Sequence, residues 1–281
     1  MSAAPLPRLT EARCDLTQAV DIVDAAGLRR TLDIPAERAL TLYVDKRELV
    51  TLMTLGQSPE LLVLGYLLNQ GLIGDVREVA SVSVDWEVEA AAVHTHAGID
   101  RIEQRTARRI VTTGCGQGTV FGEMIDDIER LQLPAPAESR IAQHKLLAVV
   151  EAMRQYPGVY RRAGSVHGSA LFDGDARLLQ LVEDVGRHNA VDTISGWMAM
   201  HDVRGADKLL MTTGRLTSEM VMKAARVGVP LVVSRNGVTA MGLSLARRLG
   251  MTLLGRANGR RFLCYTGDER IVFEPELQAL C

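Results

Sequence analysis

From Arg38 onward, apolar and polar positions alternate with a period of two. Leu40, Leu42 and Val44 share one face, Asp45 and Lys46 supply a turn, and Glu48 to Thr54 returns, which predicts a β-hairpin. The period then lengthens to that of a helix through Leu61, Leu64, Leu67 and Leu68. Ser58 is its expected N-cap, Pro59 its first residue and Gly71 its end. Alternation resumes over Val79 to Val88 and Ala91 to Ile102, and Arg108 to Thr113 predicts one more strand leading into Gly114-Cys115-Gly116-Gln117-Gly118. Residues 1–30 show no usable period and read as a flexible tail. The segment 31–137 therefore reads as a small, mostly antiparallel α+β unit, closed by the helix-breaking Leu133-Pro134-Ala135-Pro136.

Over 138–281 the pattern changes to strands alternating with helices. A helix from Ser139 to Arg154 precedes strands at Ser169 to Phe172 and Leu178 to Val182. A helix over Arg187 to Met200 follows, then a strand over Lys208 to Met211. The rest alternates in the same way: helix Thr217 to Arg226, strand Pro230 to Val233, helix Thr239 to Leu249, and strands Thr252 to Leu254 and Phe262 to Tyr265. This order predicts an α/β sheet layered with helices. A chain of 281 residues has room for two such domains.

Composition narrows the function. The apolar fraction of 47% with only 4% aromatics describes a globular chain with an aliphatic core. The 32 Lys and Arg balance 34 Asp and Glu, so no global field draws the chain to nucleic acid or a membrane surface, and an anionic ligand needs a local cluster. No apolar run approaches the roughly 18–20 residues of a membrane helix, and the start lacks a signal-peptide pattern, so a cytoplasmic location is expected. Cys14, Cys115, Cys264 and Cys281 have no paired spacing. A disulfide framework or zinc knuckle is not expected, and each is judged as a free thiol.

Cys115 lies between two glycines after a strand, a placement that suits an accessible nucleophile and equally a tight turn whose cysteine fills a gap. Thr119 stands where a dinucleotide fingerprint needs glycine, and no Walker lysine follows. Three polar segments end neighbouring strands: Glu183 to Asp192 with Arg187 and His188, Thr212 to Glu219 with Arg215, and Ser234 to Thr239 with Arg235. Each segment alone reads equally as a helix cap with surface charge. Together they predict one crevice at the carboxyl ends of the strands, suited to a phosphorylated ligand. Arg256, Ala257, Asn258, Gly259, Arg260 and Arg261 form either a pyrophosphate clamp or a solvated hairpin. His94 and His96 share a strand face without an evident third metal ligand, and Cys264 is expected in the core.

These segments, in this order, resemble the FdhD family of formate dehydrogenase accessory sulfurtransferases. The resemblance rests on TGCG at 113–116, HGSALF at 167–172, EDVGRHNAVD at 183–192, TTGRLTSEMVMKAARVGVP at 212–230, and the run from Val233 to Gly267 containing GRANGRR, with the hairpin and LGYLLNQGLI at 64–73. It implies a C-terminal cytidine-deaminase-like three-layer α/β/α domain, joined to the smaller N-terminal α+β domain through the cysteine loop, 113–119. It further implies that Cys115 takes sulfur from a cysteine desulfurase as a persulfide and sulfurates the molybdenum bis(molybdopterin guanine dinucleotide) cofactor destined for formate dehydrogenase. Arg256 to Arg261 fall on the family's cofactor-binding stretch, and a homodimer is implied; Arg187, His188, Arg215 and Ser234, from the strand-end segments, are further candidates for cofactor contact. Gly118 replaces the second loop cysteine of many members, which excludes a disulfide-resolving step within the loop, and Arg256 replaces a usual Phe. A non-covalent cofactor chaperone is the alternative. A zinc deaminase is not, because the H-x-E and P-C-x-x-C motifs are absent.

Overall fold

Two hairpins and a crossover helix make the first sheet in the computed structural model, which describes residues 4–99 and 131–278. Its elements are β1 (Arg8–Leu9), β4 (Arg38–Val44), β5 (Arg47–Thr54), β6 (Val79–Asp85) and β7 (Ala90–Thr95), in the order β1-β6-β7-β4-β5. β4 and β5 turn through Asp45 and Lys46, both at positive φ, a two-residue turn whose twist matches that of paired strands. The pairs β4/β5 and β6/β7 are antiparallel, but β4 runs parallel to β7 and β1 parallel to β6. The sheet is thus mixed rather than mostly antiparallel, because α1 (Pro59–Asn69) carries the chain from one hairpin to the other and sets them side by side. Leu40, Leu42 and Val44 face inward as the alternation predicts, packing with Leu62, Leu64 and Leu67 of α1.

Two local expectations are corrected. Residues 4–30 are not a structureless tail: β1 pairs with β6, and β2 (Thr17–Val23) pairs with β3 (Arg29–Pro35) as a separate two-stranded sheet. Asp24 Oδ1 accepts from the Ala26 and Leu28 amides at the turn. The hairpin leaves Val23, Leu28, Leu32 and Ile34 exposed, so no buried face imprints a period on its sequence. Ser58 adopts a left-handed backbone and makes no side-chain cap, leaving its carbonyl to accept from Leu62 N at 3.1 Å.

The second half begins with β8 (Ile141–Ala142), α2 (Gln143–Gln155) and α3 (Val159–Ala163). The helix expected from Ser139 starts later because Ile141 and Ala142 pair with β15 (Ile271–Val272). Six strands follow, β9 (His167–Phe172), β10 (Leu178–Asp184), β11 (Leu209–Thr212), β12 (Leu231–Ser234), β13 (Thr252–Asn258) and β14 (Arg261–Thr266), in the order β10-β9-β11-β12-β13-β14. The helices are α4 (Arg187–Met200), α5 (Ser218–Arg226), α6 (Ala240–Arg248) and a short α7 (Pro275–Gln278). Alternation divides the strands between two cores. Leu210, Val232 and Leu253 face α4, α5 and α6, while Leu209, Met211, Val233 and Leu254 face α2. The protein is a mixed α/β structure whose larger sheet has helices on both faces.

α1 and α4 join the halves. Gly65 lies against the Asp192 carbonyl and Gly196 against the Leu61 carbonyl, so closely that a Cβ at either position would overlap backbone. The approach brings Asn69 Nδ2 to 2.7 Å from Asp192 Oδ1 and 3.0 Å from Ser195 Oγ. Lys223 of α5 donates to both Asp192 oxygens at 2.8 and 2.7 Å, with all four residues buried. A second tie is Asp184, whose carboxylate accepts from Thr54 Oγ1 and Leu55 N of the first half and from Gly186 N and Asn189 Nδ2 of the second.

Alanine at Gly65 or Gly196 gains about 1 kcal/mol of helix propensity but must push two helices apart, an overpacking cost of roughly 1–3 kcal/mol or more. Overlap with backbone, which cannot rotate away, decides the sign. Urea denaturation is expected to show Gly65→Ala and Gly196→Ala each destabilised by about 2 kcal/mol. Gly237→Ala, with open space around its Cβ, is expected within about 0.5 kcal/mol of wild type.

Candidate functional site

Two antiparallel neighbours, β10 against β9 and β9 against β11, leave β10, β11, β12 and β13 running in one direction. Their carboxyl ends therefore meet at one edge, as the three polar segments predict. Backbone bonds knit that edge: Arg235 N donates to Thr212 O at 3.1 Å, Leu216 N to Gly237 O at 3.0 Å and Arg256 N to Asn236 O at 2.8 Å. Yet the edge is not one crevice among the described residues. Arg187 is buried with its stem against Gly214, Arg215 is exposed, and Arg235 turns toward the ring of Tyr160 at 5.7 Å. Ser234 is fully buried, donating to Gly214 O at 2.5 Å and accepting from Asn236 N at 2.8 Å. Its hydroxyl braces two loops rather than facing a ligand.

His188 sits on the α4 side of the edge, buried, with neither ring nitrogen hydrogen-bonded among the described residues. Its Nε2 lies 3.3 Å from Glu219 Oε2, within ion-pair distance but misaligned for a hydrogen bond. Burial, then the charges of Lys223 and Arg187, hold its pKa down to about 2, so the ring is neutral at physiological pH. Burial pushes the Glu219 carboxyl up, against the pull of Lys223, and a charged His188–Glu219 pair does not form. His188, Glu219, Lys223, Tyr66, Gln70 and Met53 line a cleft of about 410 Å³ between the halves. His167 stands nearby, its pKa lowered by burial and then by Arg187 and Arg215. Asp192, Glu219 and Lys223 were not singled out from sequence. The signal was Glu219 and Lys223 one helical turn apart in TSEMVMK, on the face turned to α4.

Arg256 to Arg261 are not a loop between strands. β13 runs to Asn258, Asn258 pairs with Arg261, and Gly259 turns at φ +56°. Arg256 occupies a bulge at φ +53° with its side chain exposed, Ala257 is buried, and Asn258, Gly259, Arg260 and Arg261 are exposed. The pattern is a two-residue hairpin extending the sheet beyond the edge, which answers the sequence alternative of a solvated hairpin and still presents three arginines. His94 is exposed on β7 and His96 lies just past its end, and no trio of metal-binding side chains occurs among the described residues.

Cys115 and its loop, 113–119, lie outside the described residues, as does Cys281. Of the other thiols, burial pushes both Cys14 and Cys264 up from the ordinary cysteine value. Cys264 is half-buried at the margin of the core, with Sγ 3.4 Å from Thr266 O. Both are held in the protonated form, which is a poor nucleophile.

An unfolded-chain histidine titrates near pH 6.5, whereas His188 stays neutral to about pH 2. Below pH 6.5 the unfolded chain takes up a proton that the folded chain does not, so stability falls as pH falls. Between pH 6.5 and 5.0, wild type is expected to lose about 1.5 kcal/mol more than His188→Gln in urea denaturation; parallel slopes would contradict the burial of a neutral ring. Glu219 acts in the opposite direction but is common to both proteins.

Comparison with known proteins places this geometry. Residues 35–272 match the model of the FdhD/NarQ family. The sulfur carrier protein FdhD of Bacillus subtilis (strain 168) is 31% identical over 239 residues, covering 84% of this chain and 88% of that protein. The FdhD of Halalkalibacterium halodurans is 29% identical over 254 residues, 90% and 93% of the two chains. A Desulfotalea psychrophila protein solved as a candidate formate dehydrogenase accessory protein superposes with a TM-score of 0.71 at 25% identity, covering 91% of this chain and 98% of that one. With a family match over most of its length and relatives aligned along both halves, the chain belongs to the FdhD/NarQ family.

Proposed function

We propose that this protein is a sulfur carrier for the maturation of formate dehydrogenase, working as a persulfide relay on Cys115. In the loading step the Cys115 thiolate attacks the outer sulfur of a cysteine desulfurase persulfide. A new S–S bond forms at Cys115, the donor's S–S bond breaks, and the desulfurase cysteine leaves as thiolate. In the delivery step the Cys115 S–S bond breaks, Cys115 leaves as thiolate, and the outer sulfur passes as sulfide to the molybdenum of the bis(molybdopterin guanine dinucleotide) cofactor, the substrate of this protein. The two electrons that reduce the sulfur come from the metal as it goes from Mo(IV) to Mo(VI), before that cofactor enters the dehydrogenase. The family match and the sulfur-carrier relatives support this reading. So does the state of the other thiols: burial disfavours the thiolate at Cys14 and Cys264.

The exposed arginines of the β13–β14 hairpin suit the phosphates and guanine of such a substrate, since guanidinium groups pair with phosphate in a fixed fork geometry. Arg256, Asn258, Arg260 and Arg261 are the proposed contacts, with Arg215 beside them at the edge. Neutral His188, beside Glu219, offers a hydrogen bond rather than a charge. The larger sheet, flanked by helices on both faces, is read as the cytidine-deaminase-like domain, with the division near 137. We further propose a homodimer working in the cytoplasm, consistent with the absence among the described residues of any helix long and apolar enough to cross a membrane.

Intact-protein mass spectrometry after incubation with a cysteine desulfurase and cysteine tests the relay. Wild type is expected to gain one sulfur, about 32 Da, as a persulfide cap, and Cys115→Ser none. No gain on either, with the guanylated cofactor still bound, would favour the non-covalent chaperone. For the hairpin, GDP serves as the probe: Arg260→Gln and Arg261→Gln are each expected to weaken its binding about tenfold, or roughly 1.4 kcal/mol. Unchanged GDP affinity in the double variant would remove the hairpin from the substrate site.

A further inference from the structure

On the α2 side of the larger sheet, away from His188, the end of α2, the start of α3, β9 and the loops after β11 and β12 enclose a recess of about 90 Å³. Arg154, Tyr156, Tyr160, Arg161, Thr213 and Arg235 line it. The space is several times the roughly 10–15 Å³ of cavity that one water needs, enough for a single tetrahedral oxyanion.

The charges of this recess are unevenly matched. Glu183 also lines it, but its two oxygens accept from Val159 N at 2.5 Å and Tyr160 N at 3.0 Å and are committed to the chain. Arg154 donates through Nε and Nη2 to Glu151 at 2.8 and 2.6 Å. Arg161 donates once, to Gln155 O at 3.3 Å. Arg235 is half-buried against the Tyr160 ring, and its guanidinium makes no hydrogen bond among the described residues. Each guanidinium carries five N–H donors in a planar fork, so donors facing solvent remain for an anion to take. A ring beneath Arg235 holds the fork's plane, which lowers the entropy lost on engaging an anion.

We propose that this recess is an oxyanion site, taking one phosphate-like group, free or as the phosphoryl end of a larger molecule, between Arg161 and Arg235. It uses none of the hairpin arginines, and it does not rest on sulfur transfer: a protein that fails this test can still gain sulfur on Cys115.

Isothermal titration with inorganic phosphate, at ionic strength held constant with sodium chloride, tests the site on the full chain. Wild type is expected to bind one phosphate. Arg235→Gln and Arg161→Gln should each lower the affinity tenfold or more, while Arg177→Gln, an exposed arginine at the far end of β10, should leave it unchanged. Because Arg161 is exposed, its variant separates loss of a ligand contact from loss of fold, which the thermal midpoint checks. GMP distinguishes the source. If Arg235→Gln weakens GMP as it weakens phosphate, the group belongs to a nucleotide; if GMP is unaffected, the site takes free phosphate. Absence of phosphate binding to wild type, or wild-type affinity in both arginine variants, overturns the proposal.

Discussion

The close approach of α1 to α4, allowed by Gly65 and Gly196, is the constraint on which the rest of the structure depends. Helix axes ordinarily stand 8–10 Å apart, held off by side chains. Here backbone meets backbone, and that proximity is what brings Asn69 of the first half within reach of Asp192 in the second. Asp192 in turn fixes Lys223, a cation that would otherwise be costly to bury. Lys223 then acts on its neighbours, helping hold His188 neutral while working against the burial that raises Glu219. The electrostatics of the cleft therefore trace back to two residues without side chains. They also trace back to both halves of the chain, so neither half could carry this cleft unaided.

The parallel course of β10, β11, β12 and β13 is the second organising fact, because it delivers three polar segments to one edge. What divides that edge is the thickness of the sheet. Helix α4 starts on one face and α3 lies by the other, so Arg187 and His188 belong to the side of Glu219 while Arg235 crosses to Tyr160. The exposed β13–β14 hairpin projects past both. One row of loops thus presents cationic groups in two directions.

Much of this architecture was legible in the alternation of the chain. The β4–β5 hairpin and α4 stand where the pattern puts them, because each has a face buried strongly enough to sort apolar from polar positions. The β2–β3 hairpin was missed for the converse reason, since it lacks a buried face. Ser58 followed the statistics of helix starts, but its backbone is left-handed and the hydroxyl does not cap. For the arginine run from Arg256 the hairpin alternative was legible in part: a register shift and a bulge at Arg256 let strand pairing continue to Asn258, further than the alternation shows. Buried charge was the hardest feature to see. Lys223 and Asp192 look like ordinary helix-surface residues until the third dimension pairs them.

The chain's cysteines pose a problem of selectivity that burial answers for Cys14 and Cys264. A persulfide forms on whichever thiol reaches the thiolate state within range of a donor. The local environment, not the residue type, decides which thiol does so. At Cys14, desolvation outweighs the pull of Arg38. At Cys264, desolvation is reinforced by the charge of Asp268. Both are therefore kept protonated by the same force that builds the core, with no device devoted to protecting them. Under this reading Gly118 is tolerable: with Cys14 and Cys264 silenced by burial, a single loop cysteine suffices to receive sulfur and to give it up.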